Sequence, residues 1–244
     1  MSAPIFLADR AQLLGRDQVT LGGREGRHAA TVRRVRPGER VDLTDGEGLV
    51  AECVVDNSGR DVLELSVRAR REVPEPAPRL VVVQALPRAD RGELAVETMT
   101  EVGVDGVVPW AAARSVTRWH GARGTRGLDR WRARAREAAK QSRRSWVPRV
   151  YELVTIETVE RLLRDAVLAV VLDTGADRPL SSLLPPSGGD VVTVVGPEGG
   201  FAPEERSAFE AVGVRWAHLG PTILRTSTAG AVAAALLLSR TRRW

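Results

Sequence analysis

Apolar positions recur with two different periods along this chain, and the change between them falls at a run of prolines. Up to that run the apolar stretches are short and strand-like: Pro4–Leu7, Gln18–Leu21, Val41–Thr44, Leu49–Val55 and Val62–Val67. Turn chemistry separates them, with Pro37-Gly38, Asp45-Gly46 as a hairpin signal, and Asp56-Asn-Ser-Gly59. One segment, Glu25–Val35, reads as a helix. Several short strands and one helix in so few residues predict a small β-barrel-like domain over residues 1–71. The stretch Glu72-Val-Pro-Glu-Pro-Ala-Pro78 follows. Prolines at alternate positions remove backbone donors and impose extended geometry, so residues 72–78 read as a linker.

Beyond it, strands and helices alternate. Leu80–Ala85 and Val107–Trp110 bracket a helix over Gly92–Val102. In Leu128–Ser145 the residues Leu128, Trp131, Ala135, Ala138 and Ser142 recur every three or four positions, which predicts a long amphipathic helix. Val167–Leu172 and Val191–Val195 are continuously apolar, as strands covered on both faces of a parallel sheet are. Pro203–Val212 is predicted helical, Trp216–Leu219 a strand and Thr228–Arg240 the last helix. Residues 79–244 therefore read as an α/β domain.

Charge changes this picture. The chain is +5 overall, yet Arg114–Arg149 holds 12 basic residues against Asp129 and Glu137, a net +10, so the remainder carries −5. Concentrated positive charge points to a polyanion, because each cation on a phosphate releases counterions. Within the stretch, Arg118, Arg143 and Arg144 are candidate phosphate contacts, and Trp119, between Arg118 and His120, is a candidate stacking surface. Arg27, His28, Arg33 and Arg34 on the N-terminal helix offer a second contact. The one cysteine, Cys53, lies in an apolar run and reads as a buried, inert thiol. With a single cysteine and three scattered histidines, no metal site is expected. Met1–Asp9 does not resemble a signal peptide, and the longest apolar run, Ala229–Leu238, is half a bilayer span. A cytoplasmic location is expected.

Two motifs sit where a strand gives way to a helix, the place where open α/β sheets bind ligands. The first is Gly196-Pro-Glu-Gly-Gly-Phe201. It lacks the phosphate-loop pattern, and Glu198, Glu204 and Glu205 would repel an anion. A glycine loop that avoids anions suits a nucleoside carrying a cation. The second is Leu219-Gly-Pro-Thr-Ile-Leu-Arg-Thr-Ser-Thr-Ala229, whose Ile223 and Leu224 are apolar residues in a loop, and whose three hydroxyl residues are candidate helix caps.

These paired motifs resemble the signature of the ribosomal RNA small-subunit methyltransferase E family, of the SPOUT superfamily. Further likeness runs through Arg27-His28, Val32–Val35, Gly38–Gly46, Thr100–Val104, Arg114-Ser115 and Glu137–Arg143 with Pro148. The resemblance implies a PUA-like RNA-binding barrel followed by a methyltransferase domain closed by a C-terminal trefoil knot. It also implies a homodimer, S-adenosylmethionine as cofactor, and methylation at N3 of a uridine in 16S ribosomal RNA of the small subunit. The cofactor pocket it implies is Leu172, then Gly196, Pro197, Glu198, Gly199 and Gly200, then Leu219, Gly220, Ile223, Leu224, Thr226 and Thr228. Uridine N3 must lose a proton before it is a nucleophile, and a cation near the uracil oxygens would favour that loss. Arg225 is the first candidate for the role and Arg114 the second. Two other readings keep the fold: methylation at another RNA position, such as a transfer-RNA 2′-hydroxyl, and a non-catalytic ribosome-assembly factor.

Overall fold

A computed structural model describes residues 3–15 and 17–244. The chain divides into two compact units, residues 1–75 with 139–147 and residues 76–138 with 148–244.

The first unit is a five-stranded sheet formed by β1 (Ile5–Leu7), β2 (Gln18–Leu21), β3 (Arg40–Thr44), β4 (Leu49–Gly59) and β5 (Val62–Glu72), with the short helices α1 (Arg10–Gly15) and α2 (Gly23–Arg27). The spatial order is β1-β3-β4-β5-β2, with β1 parallel to β3 and every other pairing antiparallel. Among the described residues no ladder joins β1 to β2, so the sheet is an open half-barrel, which fits a PUA-like domain. Alternation does the work expected of it: Leu63, Leu65 and Val67 on β5 point into a core shared with Phe6, Leu13, Leu43 and Val55. Cys53 lies in that core, and burial pushes its thiol up to about 11, so it stays neutral and unreactive near neutral pH.

Three expectations change here. Asp56–Gly59 is not a turn but the end of β4: Asn57 and Ser58 pair with Glu64 and Leu63 across a register shift, and the chain reverses at Arg60–Asp61. The predicted helix at 25–35 is two pieces, α2 and then a π-helical stretch, His28–Val32. Residues 139–147 belong to this unit although they follow it by some 65 positions. Lys140 is buried and donates to Glu25 at 2.8 Å, and the Trp146 indole N–H donates to the Val73 carbonyl at 3.0 Å.

The second unit is a six-stranded, fully parallel sheet. Its strands are β6 (Arg79–Ala85), β7 (Gly106–Trp110), β8 (Arg149–Val150), β9 (Leu168–Leu172), β10 (Asp190–Val195) and β11 (Arg215–Ala217), in the order β11-β9-β10-β6-β7-β8. Its helices are α3 (Arg91–Val102), α4 (Gly121–Gln141, whose last three residues lie in the first unit), α5 (Ile156–Asp165), α6 (Pro203–Ala211) and α7 (Thr226–Leu238). Successive strand residues face opposite cores. Leu80, Val82, Val191 and Val195 join Met99, Trp131, Ala233 and Leu237 on one side; Val81, Val83, Val192 and Val194 join Val159, Leu163 and Phe209 on the other. A sheet covered on both faces needs strands apolar at every position, which is why the sequence shows unbroken runs.

The long helix begins at Gly121, earlier than the expected Leu128, and ends at Gln141 rather than Ser145. Of the stripe that the spacing predicts, Leu128, Trp131, Ala135 and Ala138 are buried on it, whereas Ser142 lies past its end and is half-buried. The extra N-terminal turns contain Gly124 and Gly127, poor helix formers, because the Trp119 side chain lies on them; a Cβ on Gly127 would sit 2.7 Å from its indole. Helix α5 was not anticipated, although Val159 and Leu163 are buried at helical spacing. No helix among the described residues is long and apolar enough to cross a membrane.

Candidate active site

The carboxyl ends of the neighbouring strands β6, β9, β10 and β11 open into a cleft of about 850 Å³. It lies beside the loops that follow those strands, where parallel α/β sheets place their ligands. The first motif descends from β10. Gly200 takes a positive φ of 70° and its N–H donates to the Pro197 carbonyl at 3.0 Å, closing a turn that a side-chain-bearing residue would strain. Phe201 then folds under the loop, with Trp110, Phe209 and Trp216 all within 6.2 Å of it, ring centroid to ring centroid.

Glu205 fixes this loop. Its side chain is buried, at 5% exposure, and its two oxygens accept from two different segments: the Ala202 N–H at 2.8 Å and the Ala113 N–H at 2.7 Å. The first bond is half of a capping box, since Ala202 has no hydroxyl to return it. Two further contacts tighten the arrangement. The Arg114 guanidinium donates to the Gly199 carbonyl at 3.2 Å, and Glu198 accepts the Arg88 N–H at 3.2 Å. The loops after β6, β7 and β10 are thereby tied together.

The second motif is held differently. Helix α7 starts at Thr226 with Arg225 as its N-cap, and no hydroxyl side chain caps it; the N–H groups of Thr228 and Ala229 donate to the Arg225 carbonyl instead. From below, Gln84 on β6 donates to the Thr226 carbonyl at 3.3 Å. Ahead of the helix, Ile223 is 82% exposed.

Most of the expected pocket comes together. Leu172, Gly196, Pro197, Glu198 and Gly200 line the cleft from one side, and Leu219, Gly220, Ile223, Leu224 and Thr226 from the other, with Arg225 at its edge. Gly199 and Thr228 are not part of the lining: a Cβ on Gly199 would meet Arg114 Cβ at 3.1 Å, and Thr228 is an exposed first-turn residue of α7. Arg114 likewise contacts the loop's outer side and does not line the cleft. The sequence did not single out Arg88, Arg91 or Asp173 as lining residues. Asp173 accepts the Gly175 N–H at 2.7 Å and is ion-paired with Arg206, whose guanidinium lies 4.7 Å over the Trp216 ring. An acidic residue just past a strand end, as Asp173 is, was the available signal.

The basic stretch is less free than its +10 suggests. Arg130 pairs with Glu93 at 2.7 Å, Arg132 with Glu152 at 2.6 Å, and Arg134 with Glu93 and Glu97. Arg118 donates to the carbonyls of Ala112 and Ala113 at 2.9 and 2.7 Å, which shapes its own loop. Trp119 is half-buried, edge-on to Trp131 at 5.0 Å. In the other unit Arg27, Arg33, Arg34 and Arg143 are exposed, Arg144 is half-buried, and His28 packs edge-on against Phe6. Among the described residues no cluster of His, Cys, Asp and Glu could hold a metal ion.

A parallel α/β unit with a strand-end cleft, joined to a PUA-like unit, is the architecture of an RNA-modifying transferase. Residues 74–238 match the RNA methyltransferase domain family and residues 21–67 the RNA methyltransferase PUA domain. The ribosomal RNA small subunit methyltransferase E of Mycobacterium bovis is 44% identical over all of this chain and 94% of its own length. The Bacillus subtilis protein of the same name is 29% identical, over 86% of this chain and 85% of its own. The Neisseria gonorrhoeae ribosomal RNA small subunit methyltransferase E, solved bound to S-adenosyl methionine, superposes with a TM-score of 0.82 at 26% identity, covering 96% of each chain. The chain belongs to the ribosomal RNA small subunit methyltransferase E family.

Proposed function

We propose that this enzyme transfers the methyl group of S-adenosylmethionine to N3 of a uridine in 16S ribosomal RNA. It acts in the cytoplasm as a homodimer. The expected boundaries, an RNA-binding domain at 1–71, a linker at 72–78 and a methyltransferase domain at 79–244 carrying a C-terminal trefoil knot, are kept here with one change: residues 139–147 go with the RNA-binding domain. Family membership supports S-adenosylmethionine-dependent methylation of small-subunit ribosomal RNA. The observation that carries the cofactor reading is the cleft beneath the two motif loops.

The residues there fit such a cofactor. Leu172, Leu219, Leu224 and Ala229 offer apolar walls for an adenine ring, and the volume is well within the range of sites for molecules of that size. Among the lining residues Glu198 and Asp173 supply carboxylates to balance a sulfonium and an ammonium, and Arg88, Arg91 and Arg225 offer cations for a carboxylate. Bound there, S-adenosylmethionine supplies an electrophilic methyl group. Arg225 is exposed and lines the cleft, which supports its role in this reading: meeting the uracil oxygens and stabilising the anion left when N3 gives up its proton. Arg114 serves by holding the Gly199 carbonyl and with it the loop.

The test is to incubate the protein with small ribosomal subunits lacking the modification and with methyl-labelled cofactor, then map the label. Label at uridine N3 is expected. Label on a 2′-hydroxyl, or on transfer RNA alone, overturns the position; no cofactor binding by calorimetry overturns the enzyme reading.

A further inference from the structure

A second cleft, of about 370 Å³, adjoins the first. The two share a wall at the turn between β6 and α3, where Ala89, at a positive φ of 51°, lines both. We propose that this second cleft seats the acceptor nucleotide, with Asp90 as the group that takes the N3 proton and Arg123 as the contact to its phosphate. The assignment rests on the N3-uridine reading above.

Size and placement favour it. A cleft this small suits one nucleotide, and a ligand in it would lie next to one in the larger cleft. In-line methyl transfer demands that kind of fixed adjacency. The walls are pre-set. The Thr117 hydroxyl donates to the Pro87 carbonyl at 2.7 Å, Arg118 holds Ala112 and Ala113, and Glu205 holds the Ala113 N–H from the cofactor side. The segment that bounds the second cleft is thus bonded to the loop that bounds the first.

Elimination picks out the two reacting contacts. Four carboxylates line the two clefts. Asp173 is paired with Arg206, Glu198 accepts the Arg88 N–H, and Glu93 is paired with Arg130. Asp90 alone of the four has no hydrogen bond or ion pair among the described residues, and as N-cap of α3 its side chain makes no capping bond. Of the cleft's cations, Arg118 and Arg130 are engaged, whereas Arg123 has no such partner among the described residues. The charged groups about Asp90 are Arg88 and Arg91 on its own turn, Glu93 on α3, and Arg118, Arg123 and Arg130 across the cleft. The balance is simple: the N3–H bond breaks and its proton passes to an Asp90 oxygen. N3 bonds the methyl carbon, and the sulfur–methyl bonding pair remains on sulfur as a neutral thioether.

Two experiments decide it. With tryptophans labelled at the indole nitrogen, uridine 5′-monophosphate at millimolar concentration should shift the Trp119 signal, and Arg123→Glu should remove that shift. No shift at Trp119 in the wild type, or an undiminished one in Arg123→Glu, overturns the subsite. In methylation of small subunits, Asp90→Asn should lower kcat about 100-fold or more at pH 7. Its deficit should shrink as pH rises and solvent deprotonates N3 unaided, while cofactor affinity stays within twofold. A kcat and pH profile like the wild type's overturns the role of Asp90. Arg123→Glu should raise KM for the subunit about tenfold with kcat kept, and Arg161→Glu, the same charge change on α5, should not; equal effects overturn the Arg123 contact. Absence of N3 methylation by the wild type would instead sink the function reading, leaving the nucleotide titration to judge the subsite by itself.

Discussion

The two motif loops face each other across one cleft and are built on opposite principles. The loop at 196–201 is tied down at almost every residue: Glu198 to Arg88, Gly199 to Arg114, Ala202 through Glu205 to Ala113, and Phe201 into an aromatic cluster. The loop at 219–225 is held by the packing of half-buried Leu219 and Leu224 on the core and by the start of α7, while Ile223 stands in solvent. One loop sets a geometry before any ligand arrives; the other presents apolar surface that gains from being covered. Affinity in such a site should depend on pre-set shape on one side and on burial on the other.

Breaking the fixed loop gives the largest effect. Glu205→Ala strands the buried Ala202 amide and the partly buried Ala113 amide, so unfolding free energy should fall by about 2 kcal/mol and cofactor affinity by more than tenfold. Thermal unfolding and calorimetry read both, and Glu205→Gln, which keeps one acceptor, should recover part of each. An unchanged melting temperature in Glu205→Ala would show that the loop is not held from there. Gly199→Val is next. The added side chain presses on Arg114 Cβ and carbonyl, 3.1 and 3.3 Å from a Cβ, so the loop moves while the ligand's own space stays clear. A cost of about 1–2 kcal/mol and a roughly tenfold loss of affinity are expected. Normal affinity would mean the loop yields freely, and the contrast between the loops would weaken. Smallest is Ile223→Ala on the open side. It should cost about 1 kcal/mol of cofactor binding, roughly fivefold, with the melting temperature unmoved within a degree. A fall in melting temperature would show that Ile223 already packs in the free protein.

The same contrast explains what could be read from the chain. Both motifs were legible because strand-end glycines and loop-borne apolar residues are local features; so was the parallel sheet, from unbroken runs such as Val191–Val195. Glu205 was visible only as a favourable charge at a helix start, since its second bond, to Ala113, spans 92 positions. The +10 stretch misled in degree because the acids that offset it, Glu93, Glu97 and Glu152, lie outside it in sequence. Asp56–Gly59 looked like a turn by composition, but pairing with β5 carries the strand through it. The start of α4 was hidden by glycines whose purpose, room for the Trp119 ring, is tertiary.

The strand order carries a consequence for how the protein is made. Strand β10 alone joins the two halves of the second sheet, pairing six residues with β6 and five with β9. A ribosome delivers it after residue 189, when β6, β7, β8 and β9 have already emerged. Until then Leu80–Val83 and Leu168–Leu172 present bare, apolar strand edges that invite pairing with other chains. Chains halted before Val195 should therefore aggregate, and refolding from denaturant should be slow and concentration-sensitive, its yield governed by how soon the central strand finds its slot.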